Sequence, residues 1–167
     1  MRRAFFVLGP EGSGTHMLTE AFRLAGCHEE PWHGGYPEDG LYDFNKMPDL
    51  FVFRRSLPHA HRWPALWSIY RQMLDAGYEV QPILILRDWH CTIQSVIGRD
   101  YARTVEKCEQ NMRNALERVS GIFPNLIYVT YEAFCLQREF RKWLFCEKLG
   151  LPEPTVQIQY ANPKHYE

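Results

Sequence analysis

Ala4-Phe5-Phe6-Val7-Leu8 runs without a break into Gly9-Pro10-Glu11-Gly12-Ser13-Gly14-Thr15-His16, and then into Met17-Leu18-Thr19-Glu20-Ala21-Phe22. An apolar run, a glycine-rich turn and an amphipathic stretch, in that order, predict a buried strand, a loop and a helix. Such a unit is an anion cradle. Glycines let successive backbone N–H groups turn inward, and the positive end of the helix dipole lies beneath them. A ligand carrying phosphate is expected. The spacing from Gly9 to Gly14 fits the common nucleotide-binding loop, but that loop continues with Lys and then Ser or Thr. Thr15 and His16 stand in those places here. The absent lysine argues against an ordinary ATPase or kinase and asks for another phosphate ligand.

Outward from this unit the same alternation continues. Strand-length apolar runs lie at residues 4–8, 50–53, 82–86 and 126–130, and helical patterns at 15–25, 63–76, 90–98, 101–119 and 132–149. Nearly continuous apolar strands alternating with helices predict an α/β fold: three α/β/α layers around a parallel sheet. Right-handed crossovers then bring every strand's C-terminal end to one edge, where open α/β sheets bind ligands. The residues to read are therefore those that follow the strands: 9–15, 54–61, 87–95 and 131–134. Residues 27–48, with Gly34-Gly35, Pro31, Pro37 and Pro48, read as a long loop beside the site.

Bulk properties narrow the classes. The 167 residues are expected to form a single domain over 1–167, and a 46% hydrophobic share suits a folded globule. A net charge of −1 offers no general field for nucleic acid, so any anion site is local. Five scattered cysteines without a CxxC pair fit reduced thiols. The apolar run after Met1-Arg2-Arg3 is too short for a signal peptide or a membrane span, so a soluble, cytoplasmic protein is expected.

The second signal is Arg87-Asp88-Trp89-His90-Cys91-Thr92-Ile93-Gln94-Ser95, directly after the strand-like Ile83-Leu84-Ile85-Leu86. A guanidinium at the strand end forks onto a phosphate, and Ser95, about two helical turns on, offers a hydroxyl to the same group. The plain alternative pairs Arg87 with Asp88 or Asp100 and leaves Ser95 on a helix surface.

With both signals in place, the chain resembles the sulfotransferase family that uses 3′-phosphoadenosine 5′-phosphosulfate (PAPS), within the P-loop-containing nucleotide-binding superfamily. The family's first motif, a strand and a loop with Ser-Gly-Thr at its core, is matched by Ser13-Gly14-Thr15. Its second, a strand ending in Arg with Ser eight residues later, is matched by Arg87 and Ser95. Val129-Thr130-Tyr131-Glu132-Ala133-Phe134 and, further on, Leu149-Gly150-Leu151-Pro152 are similar to a third segment. The resemblance spans residues 4–152. It implies PAPS as donor and a hydroxyl or amine acceptor on a small molecule, glycan or protein, with no metal, nucleic acid or membrane required. It also implies that Gly12, Ser13, Gly14, Thr15 and His16 hold the 5′ end of the donor, while Arg87 and Ser95, with Lys164 from a tail segment, hold its 3′-phosphate.

The chain departs from the pattern in two places. Gly12 stands where many members carry Lys or Arg, and Ser56 stands where Leu57-Pro58 would place the family's catalytic histidine. Arg54 and Arg55 are the expected sources of the missing charge. His59 is the expected base and His61 the next candidate, since histidine accepts a proton near neutral pH. Glu29, Glu30, Glu38 and Asp39 are further candidate bases. His28, His33, His59 and His61 lack zinc-ligand spacing, so no metal is expected. Trp63, Trp67 and Tyr70 read as a core face, and Arg138, Arg141 and Lys142 as a solvated one. Two other functions are open. One is a nucleotide or small-molecule kinase using Asp88 at the strand end; the other is a nucleotide-binding protein of the same fold without turnover. The short chain leaves room for a homo-oligomer that completes the acceptor pocket.

Overall fold

The computed structural model describes residues 1–29, 42–59, 62–155 and 157–166. Its centre is a five-stranded sheet in which every pairing is parallel: β1 (Arg2–Pro10), β2 (His28–Glu29), β3 (Leu50–Leu57), β4 (Tyr78–Leu86) and β5 (Ile127–Thr130), in the spatial order β2-β3-β1-β4-β5. The expected three-layer α/β/α architecture is what the chain forms.

Alternation along the strands assigns the two faces. Val7, Val52, Ile83, Ile85 and Val129 meet α1 (Thr15–Leu24) and the late helices through Leu18, Phe22, Phe134 and Phe145. Phe6, Leu8, Phe51, Phe53 and Leu84 turn the other way, toward α2 (Leu66–Asp75) and α4 (Val105–Ser120). The ring of Phe22 sits 4.8 Å from that of Phe5 and 4.9 Å from that of Phe145, clamping α1 to the sheet. Burying each such side chain stabilises the fold by about 1.5–3 kcal/mol.

Several boundaries differ from the sequence reading, each for a local reason. β3 runs on through Arg54, Arg55 and Ser56 to Leu57, pairing Gly9 with Ser56, so these residues belong to the strand and not to a loop after it. β4 begins at Tyr78 although Pro82 lies within it. β5 pairs only from Ile83 onward, so on that side β4 is still an edge at Pro82. α2 starts at Leu66 because Pro64 keeps Trp63 out of the helical region. α4 starts at Val105, where the Thr104 hydroxyl caps the Lys107 N–H at 3.2 Å.

The helix expected over 132–149 is three pieces: α5 (Tyr131–Leu136), α6 (Arg138–Lys142) and a π turn, Trp143–Lys148. Gln137 breaks it at φ −115°, and Arg141 Nη1 donates to the Phe134 and Cys135 carbonyls at 2.7 and 3.1 Å. The loop expected over 27–48 carries β2 at one end and a short helical turn, Phe44–Lys46, at the other, with Phe44 buried against Phe51 and Phe53.

Among the described residues, no helix is long and apolar enough to cross a membrane.

Candidate functional site

After β1 the chain crosses toward β2, and after β4 it crosses toward β5, so the two connections leave in opposite directions. A crevice opens between them at the C-terminal ends of the strands. A cavity of about 730 Å³ occupies this edge.

The glycine loop forms one wall. Gly12 at φ 84° and Gly14 at φ 100° take left-handed conformations open mainly to glycine. A Cβ on Gly14 would lie 2.8 Å from Cδ2 of Tyr131, so the loop is also packed too closely for a side chain there. α1 starts at Thr15 with no side-chain cap and no acid in its first turn, which leaves its first N–H groups for a ligand. Gly12, Gly14, Thr15 and the exposed His16 line the cavity. Ser13 does not. Its hydroxyl is fully buried, without a hydrogen-bond partner among the described residues, and its N–H donates to Pro10 O at 3.0 Å.

β3 forms the floor. Arg54 and Ser56 share the face that lines the cavity, and the Thr15 and Ser56 hydroxyl oxygens are 3.2 Å apart. Arg55 points to the opposite face, buried, with its guanidinium 3.8 Å above the ring of Phe53 and 5.0 Å from that of Tyr42. Of the two arginines expected to supply charge, only Arg54 is placed to do so. His59 lines the cavity and is fixed by a two-way backbone bridge to Arg62, 2.8 Å in each direction. Burial first, and then Arg54 and Arg55, hold its imidazole below the ordinary 6.5. It is therefore neutral near pH 7, the state that accepts a proton. Glu29 lies in β2 and does not line the cavity, whereas His61, His33, Glu30, Glu38 and Asp39 fall outside the described residues.

Arg87 enters at the end of β4 and is held on several sides. Its Nε donates to Asn162 Oδ1 at 2.6 Å, its Nη1 to Gly12 O at 3.2 Å, and its guanidinium lies 4.6 Å from the centre of the Tyr131 ring. Asn162 is in turn fixed by Glu132, whose Oε1 accepts from Asn162 Nδ2 at 2.7 Å and from the Asp88 N–H at 2.9 Å. Nη2 of Arg87 is buried and has no partner among the described residues. The plain alternative, an Arg87–Asp88 ion pair, is not what forms. The Asp88 carboxylate caps α3 (Trp89–Ile97) by accepting from the Cys91 N–H at 2.9 Å, and also accepts from the Tyr166 hydroxyl at 2.9 Å. The Cys91 N–H does most to hold Asp88 below the usual carboxylate range.

Ser95, in the last turn of α3, lines the cavity and accepts from Arg99 Nη2 at 2.9 Å. The tail closes the remaining side with Lys164 and His165. Nε2 of His165, like Ser13 Oγ and Arg87 Nη2, is buried without a partner among the described residues. Burial, then Arg87, Lys164 and His90, lower its pKa. Arg99, Tyr131 and His165 were not expected from the sequence. Tyr131 was visible only as the residue after a strand, and Arg99 lies one turn beyond the motif that ends at Ser95.

No family model matches the chain, and no curated protein does. Among solved structures, the tunicamycin resistance protein of Deinococcus radiodurans is similar with a TM-score of 0.59 and 13% identity, over 93% of this chain and 100% of that one. At that identity the likeness speaks to the fold, an α/β sheet of the same kind.

Proposed function

We propose that the chain moves a sulfuryl group from PAPS to a hydroxyl or amine acceptor. The observation that carries this reading is Arg87. A guanidinium fixed by Asn162 and Gly12, with a buried donor atom left over, shares one cavity with an uncapped helix start and a neutral histidine. Two separate anion-holding devices suit a nucleotide with phosphate at two positions better than one with a single polyphosphate chain. The N–H groups of Gly14, Thr15 and His16 would take the 5′ end, and Arg87 with Ser95 the 3′-phosphate.

In this reading His59 removes the acceptor's proton as its oxygen or nitrogen attacks sulfur in line. A new bond to sulfur forms, the bond from sulfur to the bridging oxygen breaks, and the electron pair leaves on the 5′-phosphate of adenosine 3′,5′-bisphosphate. Arg54 faces the charge that grows there. Positioning and electrostatics supply most of the acceleration, as in phosphoryl transfer. Asp88, engaged as a helix cap and with Tyr166, is poorly placed for the kinase alternative.

The test is thermal stability with adenosine 3′,5′-bisphosphate beside ATP plus magnesium. A ligand that binds only the folded state raises the midpoint by mass action. A rise with the bisphosphate that Arg87→Ala abolishes is expected, followed by transfer of labelled sulfate from PAPS in an acceptor screen. A rise with ATP and magnesium alone overturns the reading in favour of a kinase. Binding of the bisphosphate and of PAPS without transfer to any acceptor favours a protein without turnover.

A further inference from the structure

Position 12 is where the resemblance asks for a basic side chain, and a glycine stands there. The space such a side chain would enter is already taken. A Cβ on Gly12 would lie 3.1 Å from Thr92 O, 3.2 Å from Val96 Cγ2 and 3.3 Å from Arg99 Nη2, so α3 and the first residues beyond it close over the loop. The nearest charged atom is a guanidinium nitrogen arriving from another element. Arg87 approaches the same residue from its carbonyl side, with Nη1 3.2 Å from Gly12 O. Two guanidiniums thus flank one glycine at the cavity wall. Neither forms an ion pair with a carboxylate among the described residues: Arg87 is held by an amide and a carbonyl, and Arg99 by the Ser95 hydroxyl and carbonyl, both at 2.9 Å.

We propose that Arg99 is the second arm of a phosphomonoester clamp made with Arg87 and Ser95, and that it sets the preference for a nucleotide bearing a 3′-phosphate. A terminal phosphate carries close to two negative charges near neutral pH, which two unneutralised guanidiniums match and one does not. Ser95 links the arms to the ligand. Its oxygen accepts from Arg99, and its single proton remains to be donated to a phosphate oxygen. Arg99 and Ser95 both line the cavity, and Arg99 is exposed enough to meet a ligand without moving the core. The proposal rests on the donor reading above and adds a residue to it.

Isothermal titration with adenosine 3′,5′-bisphosphate and with adenosine 5′-phosphate, on wild type, Arg99→Gln, Arg99→Lys and Arg87→Ala, tests it. Arg99→Gln is expected to weaken the bisphosphate about tenfold or more, the usual loss for a charged hydrogen bond, while changing 5′-phosphate affinity less than about twofold. Arg99→Lys, which keeps charge but not the fork, is expected to fall between. A wild type with no preference for the bisphosphate overturns the donor reading itself. A preference lost in Arg87→Ala but intact in Arg99→Gln leaves that reading standing and overturns the clamp. So does an equal loss for both ligands in Arg99→Gln. Matching melting curves of wild type and Arg99→Gln verify that the fold is intact.

Discussion

Arg87 and Asn162 are 75 positions apart in the chain and are joined by a 2.6 Å hydrogen bond from the guanidinium Nε to the amide oxygen. Because Glu132 grips the other end of that amide, the bond ties β4, α5 and the tail together at the cavity. Asn162 is itself buried. Asn162→Ala is expected to lower unfolding free energy by about 1–3 kcal/mol, the cost of orphaning buried polar partners, as read from urea denaturation. Unchanged stability would mean that water replaces the amide without penalty.

The left-handed glycines differ in what surrounds them, and substitution should separate strain from collision. Gly26 and Gly77 have positive φ with nothing within 4 Å of an added Cβ. Alanine at either is expected to cost about 1–2 kcal/mol from backbone strain alone. Gly14→Ala adds a 2.8 Å clash with Tyr131 and should cost about 1–3 kcal/mol more. Equal losses at Gly14 and Gly26 in thermal melts would show that Tyr131 moves aside freely.

His59 gives a signed pH dependence. Its folded pKa is lowered, so below about pH 6.5 the unfolded chain binds the proton more readily. The stability carried by neutral His59 is therefore present above about pH 6.5 and is lost as pH falls through the lower folded value. His165, lowered as well, acts in the same direction. His59→Asn is expected to flatten the stability profile between about pH 5 and 7. Superimposable profiles for wild type and variant would remove burial and the two arginines as determinants of its titration.

Thiol reactivity should follow burial. All five cysteines are free; Cys146 is exposed, while Cys27, Cys91 and Cys108 are buried. Burial pushes the Cys27 thiol up to about 12, which leaves almost no thiolate at mildly alkaline pH. Alkylation of the native protein followed by mass spectrometry is expected to label Cys146 first, and those three only after unfolding. Early labelling of Cys27 would mean that the α1 side of the core opens locally.

The strand–loop–helix at the start and Arg87 at a strand end were legible because each depends on local pattern: an apolar run, then glycines or a charge. What escaped the sequence depends on partners far along the chain. Arg54-Arg55-Ser56 reads as a loop, yet it is strand, since it pairs with Val7, Leu8 and Gly9 of β1 and Arg55 packs against Phe53 and Tyr42. β2, two residues long, has too little sequence to carry a period. Gln137 breaks a helix without glycine or proline, helped by Arg141 taking up the freed carbonyls. Nothing in the neighbours of Arg99 marks it in the sequence; only the fold sets it beside Gly12.

The extension of β3 makes the cavity mechanically lopsided. The floor, where Ser56 of β3 pairs with Gly9 of β1, is woven into the sheet ladder, and shifting it means breaking main-chain bonds in series. The facing wall hangs on side chains: the Asn162 amide, the Tyr166 hydroxyl on Asp88, and a 3.0 Å contact from His90 to His165 O. Backbone amides along β1 and β3 should therefore exchange with solvent only through large-scale unfolding, and those of residues 162–166 through small local openings. Any change of shape that accommodates a bulkier ligand falls to the tail, while the reference frame for the chemistry stays with the sheet.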